Sequence, residues 1–520
     1  MNRWPLLLIL LAAALALFFR GPWFGGRPMH NDEAVNAIKF GQLWENGSYR
    51  YDPNEHHGPS LYYATWVFNK LTGAPGFDRL PEARYRIVPA LFGVGLVLLL
   101  PWIRDGLGRS GMLWAALFTA VSPALVFYSN NFIHESLLVF GTLLALAAGW
   151  RYWRTGRWVW AVMVGIGLGL MHGTKETFVL VLAAAAMALV FSFLWARCFD
   201  ASGPARKSAS LNFLHVAGAA GAWLLVAFLL FSSFLTNPQG LIDSVLTYLP
   251  WIQRAAGDSP HIHPWTFYFE RVLYFHPPKS FLWTEGLILL LALVGAWAGF
   301  ARQKLGDANA VFVRFLALYS FLLAAIYSFI SYKTPWCLFG FWHGFVLLAG
   351  VGAAVLIQGL KPVGARVAVS LLLISGAGHL AWQSWQAVTE FAADRRNPHV
   401  YAQTSPHLIQ LVERVEALAR VHPDGYQMLL KVVSPDSDYW PLPWYLRRFQ
   451  RVGWWDEAPA DPYAPIMIVS SKLDAALDAR KTHLMVGYYQ LRPEVFLELY
   501  VELGLWRTFL ERNPPPIDRE

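Results

Sequence analysis

Charge is scarce in this chain: 15% of its 520 residues are Asp, Glu, Lys or Arg, against 56% hydrophobic ones, and the mean hydropathy is +0.36. A soluble domain of this size needs a far more polar surface, so an ordinary globular protein is excluded and an integral membrane protein is expected. Cysteine is nearly lacking as well, with only Cys198 and Cys337. Both fall near the ends of apolar runs that the topology below puts on opposite sides of the membrane, which excludes a disulfide and a cysteine-built metal site and leaves the redox compartment open. There is no GxGxxG, P-loop, GxSxG or HExxH motif. The missing phosphate-cradling glycine loop argues against a cytoplasmic nucleotide-using site. No internal repeat supports an inverted-repeat transporter. The net charge of +8 is spread over short loops without a basic run, so no nucleic-acid partner is expected.

What the chain has is apolar length. Runs able to cross about 30 Å of hydrocarbon occur at 4–19, 86–103, 111–129, 135–150, 158–173, 177–196, 213–235, 284–301, 311–330, 337–358 and 366–385, which predicts about eleven transmembrane helices. The first is read as an uncleaved span rather than a signal peptide, because residues 20–27 offer no small-x-small cleavage site. With the amino terminus cytoplasmic, the inner loops carry Arg104, Arg109, Arg151, Arg154, Arg157, Arg197, Arg206, Lys207, Arg302, Lys304, Arg314, Lys361 and Arg366, against Asp105, Asp200 and Asp307. That bias is the signature of the inner face. The chain is therefore expected to be a multi-pass protein of the cell membrane, with the lipid bilayer as its first partner.

The polar residues that remain gather on the outer face. A first loop (22–84) holds Met29-His30-Asn31-Asp32-Glu33-Ala34 and Glu55-His56-His57-Gly58-Pro59-Ser60-Leu61-Tyr62-Tyr63. Apolar spacing predicts amphipathic helices over Glu33–Trp44 and Ser60–Leu71 at the membrane surface. A helix starting here makes Asn31 or Asp32 an N-cap, which accounts for an acid without chemistry. Short outer turns carry His134-Glu135, Lys175-Glu176-Thr177 and Tyr332-Lys333-Thr334-Pro335-Trp336. A long loop (236–284), with short helices expected at Leu241–Ile252 and Trp265–Phe275, carries His261 and His263. Their spacing falls short of a metal signature. His343 and His379, single histidines inside spans, read as hydrogen-bonded packing.

After residue 385 the composition becomes that of a soluble domain (386–520). A helix is expected at Ser405–Arg420 with Ser405 as its cap, strands at Met428–Val433, Pro465–Ser470, His483–Gln490 and Val495–Val501, and a helix at Ser471–Arg480. Strands alternating with helices predict a small extracytoplasmic α/β domain beside a transmembrane domain (1–385). Within it, Tyr439-Trp440-Pro441-Leu442-Pro443-Trp444-Tyr445-Leu446-Arg447 gives a stiff aromatic surface, suited to docking on the outer loops, to gripping a carbohydrate, or to filling the domain core.

An Asp-Glu pair just past the first span, opening a long outer loop with surface helices, resembles the GT-C superfamily of polyprenyl-phosphate-sugar-dependent glycosyltransferases. Its relatives include the protein O-mannosyltransferases and the aminoarabinose transferases. The ordered set His30-Asn31-Asp32-Glu33-Ala34, His57-Gly58-Pro59-Ser60-Leu61-Tyr62-Tyr63, Ser122-Pro123 with Tyr128-Ser129, Lys175-Glu176-Thr177, Tyr332-Lys333-Thr334-Pro335-Trp336 and Tyr439 to Arg447 is most similar to a prokaryotic mannosyltransferase-like branch associated with flippase activity.

The resemblance implies a GT-C-like fold and an inverting transfer of a hexose such as mannose, or a related sugar, from a polyprenyl-phosphate donor to an acceptor hydroxyl outside the cytoplasm. The acceptor stays unidentified: protein, lipid or glycan. It implies Asp32 as general base, with Glu33 orienting the acceptor or binding a cation. A phosphate leaving group needs cations nearby, and Lys333 and Lys175 stand in turns on the right face. Each is equally explained as a lysine snorkelling to lipid headgroups. Glu135 stands where relatives carry a second acid, although this chain has His134-Glu135 in place of Arg-x-Asp. Glu55, His56 and His57 form the one dense cluster that could take substrate or a divalent metal ion, which some relatives use and others do without. Tyr62, Tyr63 and Tyr128 either stack on a sugar or pack at the interface. A transport component that handles lipid-linked sugars without transferring them is the alternative, and a non-catalytic assembly factor a third; the first requires a polar path through spans that offer almost none.

Overall fold

The computed structural model describes residues 4–21, 25–54, 57–200, 212–256 and 261–513. Each of the eleven apolar runs is helical: Trp4–Arg20, Glu82–Leu99, Arg109–Val121 with Pro123–Ser129, Glu135–Thr155, Trp158–His172, Phe178–Phe199, Phe213–Phe231, Gly286–Ala301, Ala310–Phe329, Phe339–Gly359 and Val363–Val388. Six helical stretches among the described residues are individually long and apolar enough to cross a membrane, starting at Glu82, Phe178, Phe213, Ala310, Pro335 and Val363. Trp4–Arg20, Trp158–His172 and Gly286–Ala301 are apolar but shorter. Arg109–Val121 and Pro123–Ser129 form a seventh crossing if joined, bent by 56°. The bend has a local cause. Ser122 precedes a proline, which excludes the helical region for it, and it is extended (φ −67°, ψ 120°).

Phe339–Gly359 runs through the middle of the bundle, buried along most of its length. It lies backbone to backbone against Gly286–Ala301: a Cβ on Gly352 would stand 1.9 Å from the Leu291 carbonyl oxygen, and one on Gly295 2.3 Å from that of Leu348. Of the two histidines inside spans, His379 takes a hydrogen bond at Nδ1 from Gln383 (3.1 Å). His343 is buried in the central helix and its Nε2 finds no partner among the described residues. Cys198 and Cys337 are both free thiols.

The face expected to lie outside is built from loop helices. Asn31–Asn46 and Ser60–Leu71 match the expected pair in the first loop. The single helix expected at Leu241–Ile252 is divided into Gly240–Leu246 and Tyr248–Ala256, and the next spans Phe267–Leu273.

After Val388 the chain leaves the bundle for a five-stranded sheet: β1 Leu429–Val433, β2 Arg451–Trp455, β3 Ile466–Ser470, β4 His483–Arg492 and β5 Val495–Glu502, in spatial order β2-β1-β3-β5-β4. β1 is parallel to β2 and β3, whereas β3–β5 and β5–β4 are antiparallel. The amphipathic helices His407–Val421 and Leu503–Arg512 supply Leu408, Leu411, Val415 and Phe509 to a core with Leu430, Val432, Ile466, Ile468 and Leu499. One expectation is met and one is corrected here. Ser405 caps the helix as expected, its Oγ accepting the His407 N–H (3.3 Å) across Pro406, which already has helical dihedrals. Residues 471–480 form two 3-10 turns, Ser471–Leu473 and Leu477–Arg480, because Asp474 (φ 45°) and Ala476 (φ 40°) turn left-handed and lay Leu473 and Leu477 on the sheet's second face. The edge strand β2 and the final helix were not anticipated.

The tight backbone approach yields a prediction. Gly352→Ala forces Phe339–Gly359 and Gly286–Ala301 apart, and the purified variant should melt several degrees below the wild type in detergent. An unchanged melting temperature would show that the two helices separate freely.

Candidate functional site

The helix Asn31–Asn46 starts with a reciprocal cap that fixes its first turn. His30 is extended (φ −65°, ψ 159°); its Nδ1 accepts the Asp32 N–H at 3.1 Å, and the Glu33 carboxylate accepts the His30 N–H at 2.9 Å. The cap is therefore His30, one residue before the expected Asn31 or Asp32. This frees the Asp32 side chain, which is 43% exposed, forms no hydrogen bond among the described residues and has His30 Nδ1 at 3.8 Å.

Glu33 has the opposite fate. It is fully buried, and its oxygens receive Arg27 Nη1 (2.7 Å), Arg86 Nε (2.8 Å) and Nη2 (2.9 Å), and the Phe132 N–H (2.9 Å). Burial opposes its ionisation, but the guanidiniums of Arg27 and Arg86 outweigh that and hold the carboxyl well below the usual range. Glu33 does not border the cavity described next, so the expectation that it orients an acceptor or binds a cation is corrected: its acceptors are already taken.

Asp32 stands on the wall of a cavity of about 580 Å³. Two paired units line the same cavity, one an ion pair and one a histidine–carboxylate contact. Lys175 Nζ is paired with Glu135, both buried; although burial works against its charge, the Glu135 carboxylate raises the Lys175 ammonium above its ordinary value. Beside it, Glu176 Oε2 is 2.7 Å from His57 Nδ1, and the His57 ring stacks on Trp251 with 4.9 Å between centroids and 17° between planes. The Nε2 edge of His57 carries no hydrogen bond among the described residues. Tyr332, Thr334 and Trp336 close a further wall. The structure thus brings Asp32, Lys175, Glu135 and His57 around one space. It adds Glu176, which stood in the quoted Lys175-Glu176-Thr177 turn without a role of its own.

Other predicted site residues are placed elsewhere. Lys333 is buried in its turn, where Nζ donates to the carbonyls of His263 (2.9 Å) and Ile330 (2.5 Å), and burial lowers its ordinary value. It ties two loops together and is not part of the cavity wall. Tyr62 donates to Asn36 Oδ1 (2.9 Å), Tyr63 Oη shares a hydrogen bond with Ser233 (2.6 Å), and Tyr128 donates to the His399 carbonyl (3.3 Å). None of the three lines the cavity, so packing is their role here. Glu55 and His56 lie outside the described residues. Among the described residues no three His, Cys, Asp or Glu side chains converge as metal ligands. His261 and His263 meet the Tyr401 hydroxyl, at 2.8 and 2.9 Å, rather than each other.

Residues 56–235 match the family of dolichyl-phosphate-mannose-protein mannosyltransferases. No curated protein matches the chain. In solved structures the chain is similar to ArnT from Cupriavidus metallidurans, seen bound to undecaprenyl phosphate, with a TM-score of 0.64 and 15% identity over 97% of this chain and 99% of that one. It is also similar to the archaeal oligosaccharyltransferase AglB from Archaeoglobus fulgidus, seen with an inhibitory peptide and a dolichol-phosphate, with a TM-score of 0.52 and 13% identity over 86% of this chain and 63% of that one. The fold is ArnT-like and of the GT-C class.

Removing one partner from the Glu33 cluster should be costly, because it leaves a buried charge short of compensation. Arg86→Gln is expected to lose about 3–5 kcal/mol of stability, read as a lower melting temperature. Glu33 ionises more readily folded than unfolded, so its contribution is complete above about pH 4.3 and declines as pH falls below that. Wild-type stability should therefore drop on acidification below about pH 4.3, and drop less in Arg86→Gln.

Proposed function

We propose that this chain, a multi-pass membrane protein of GT-C fold, is a glycosyltransferase that moves a sugar from a polyprenyl-phosphate donor to a hydroxyl outside the cytoplasm, with Asp32 as general base. The observation that carries the reading is Asp32 itself: a carboxylate that forms no hydrogen bond among the described residues, set at a rigid helix start on the wall of a cavity that the Lys175 side chain also lines. The match to the mannosyltransferase family and the ArnT-like fold support the same reaction class.

The chemistry follows from the arrangement. The acceptor hydroxyl enters beside Asp32, which takes its proton as the oxygen attacks C1 of the donor sugar. The bond from C1 to the phosphate oxygen breaks on the far side, and its electron pair leaves with the polyprenyl phosphate. A single displacement inverts the anomeric centre, and it needs the base and the leaving group on opposite sides of the sugar. Lys175, held charged by Glu135, and His57, oriented by Glu176, stand where the departing phosphate gains negative charge and needs electrostatic support. The bias of arginines and lysines toward the opposite loops supports a position for this face outside the cytoplasm. The transferred sugar is a hexose such as mannose or a close relative; a divalent ion has no ligand set among the described residues, and no step here requires one.

Two outcomes are expected with the full-length protein, synthetic polyprenyl-phosphate hexoses and mass spectrometry of the released lipid phosphate. Asp32→Asn should abolish release while membrane insertion stays intact; release at the wild-type rate would refute Asp32 as base. Lys175→Gln should raise the donor KM at least tenfold, and an unchanged KM would remove Lys175 from the phosphate site.

A further inference from the structure

The carboxylate of Asp32 is held by no hydrogen bond among the described residues, so its direction is set by the backbone that carries it. That backbone is gripped from an unexpected quarter. Met29 is fully buried, and both of its peptide groups are tied to residues more than 370 positions further along the chain. Its N–H donates to the Tyr445 hydroxyl (2.9 Å) and its carbonyl accepts from Thr404 Oγ1 (2.7 Å). Tyr445 in turn donates to Glu82 Oε1 (3.1 Å), at the start of the Glu82–Leu99 helix. The next residue, His30, donates from Nε2 to the Tyr401 carbonyl (3.0 Å). This fixes the tautomer: with the ring proton on Nε2, Nδ1 is free to accept the Asp32 N–H. The Tyr401 hydroxyl is itself held by His261 and His263.

We propose that the C-terminal domain is a working part of the active site, with Tyr445, Thr404 and Tyr401 as positioning residues that aim Asp32 through Met29 and His30. The proposal rests on the reading of Asp32 as base. The segment Tyr439–Arg447 supplies this contact: Arg447 donates to the carbonyls of Phe77 (3.2 Å) and Leu80 (2.8 Å) with its guanidinium over the Trp444 ring, and Trp444 meets Tyr85 edge-on. Glu33 and its arginines anchor the same helix start to the membrane body without help from the domain. Loss of the Met29 contacts therefore leaves the fold and the phosphate side of the cavity in place and loosens only the aim of the base. A misplacement of about 1 Å costs on the order of a hundredfold in rate, so two weakened hydrogen bonds suffice for a measurable loss.

The test uses the full chain in lipid nanodiscs with a synthetic polyprenyl-phosphate hexose, alongside hydrogen exchange followed by mass spectrometry. Tyr445→Phe and Thr404→Val should each lower kcat about tenfold with the donor KM unchanged, Thr404→Ser should retain the wild-type kcat, and amide exchange should accelerate over residues 28–34 and not over 82–99. Unchanged exchange at 28–34 overturns the proposal whether or not a donor turns over, and so does a fall in kcat matched by a rise in donor KM. Wild-type turnover in Asp32→Asn sinks the assignment of the base whatever these variants do. Wild-type kcat in Tyr445→Phe beside an inactive Asp32→Asn sinks the brace alone.

Discussion

The constraint on which the outer face depends is the buried charge of Glu33. A carboxylate removed from water is tolerated only when its partners are in place, and here they come from three directions: Arg27 ahead of the first loop helix, Arg86 from Glu82–Leu99, and the backbone of Phe132 at the end of the broken crossing. Arg27 also reaches the Asn130 carbonyl (3.1 Å) and Asn131 Oδ1 (2.5 Å), and Arg86 takes the carbonyls of Arg27 (3.0 Å) and Pro28 (3.2 Å). Each connection satisfies a group that would otherwise be buried alone. Moving any one of these segments uncovers an unpaired charge, so the first loop is pinned to the bundle at the point where Asp32 emerges.

Helix geometry explains why the Asp-Glu pair divides its labour. Successive residues on an α-helix point about 100° apart, so the two adjacent acids leave the helix in different directions. Glu33 faces the bundle and Asp32 faces the cavity. Of the two neighbouring acids Glu33 is the structural one, chosen by the side that carries the arginines, and Asp32 is left for the proposed chemistry.

Much of this was legible in the residues, and the parts that were not share a cause. Each apolar run proved helical, and six of the helical stretches, or seven with the bent pair, are long and apolar enough to cross a membrane, because hydrocarbon thickness is a one-dimensional demand that sequence meets locally. Asp32, Lys175 and Glu135 share one cavity, and the sequence singled them out because each stands in a short polar turn. Lys333 satisfied the same description, yet its ammonium is turned into the carbonyls of His263 and Ile330; the direction of a flexible four-carbon stem is decided by loops distant in sequence. Glu33 was misassigned for a similar reason, since Arg86 is 53 residues away. Residues 471–480 looked helical by composition, but the sheet's second face required a flat cover, and Asp474 and Ala476 turn the chain to supply it.

The placement of the base follows from the reaction's two phases. In the proposed reaction the donor is a lipid and the acceptor approaches from water, so a base there would sit where both can reach it, at the border between bundle and soluble domain. Such a border is ordinarily the least rigid part of a protein, because few contacts cross it. A transferase needs the opposite there, a carboxylate aimed to within a fraction of an ångström. Here the turn Pro28–Asn31 is held from the membrane side through Glu33 and from the aqueous side through Tyr445, Thr404 and Tyr401. Neither grip touches the Asp32 carboxylate, which leaves its oxygens open for the proposed proton transfer. A base tied down by its own hydrogen bonds would be well placed but poorly reactive; one held only through its backbone is both placed and free.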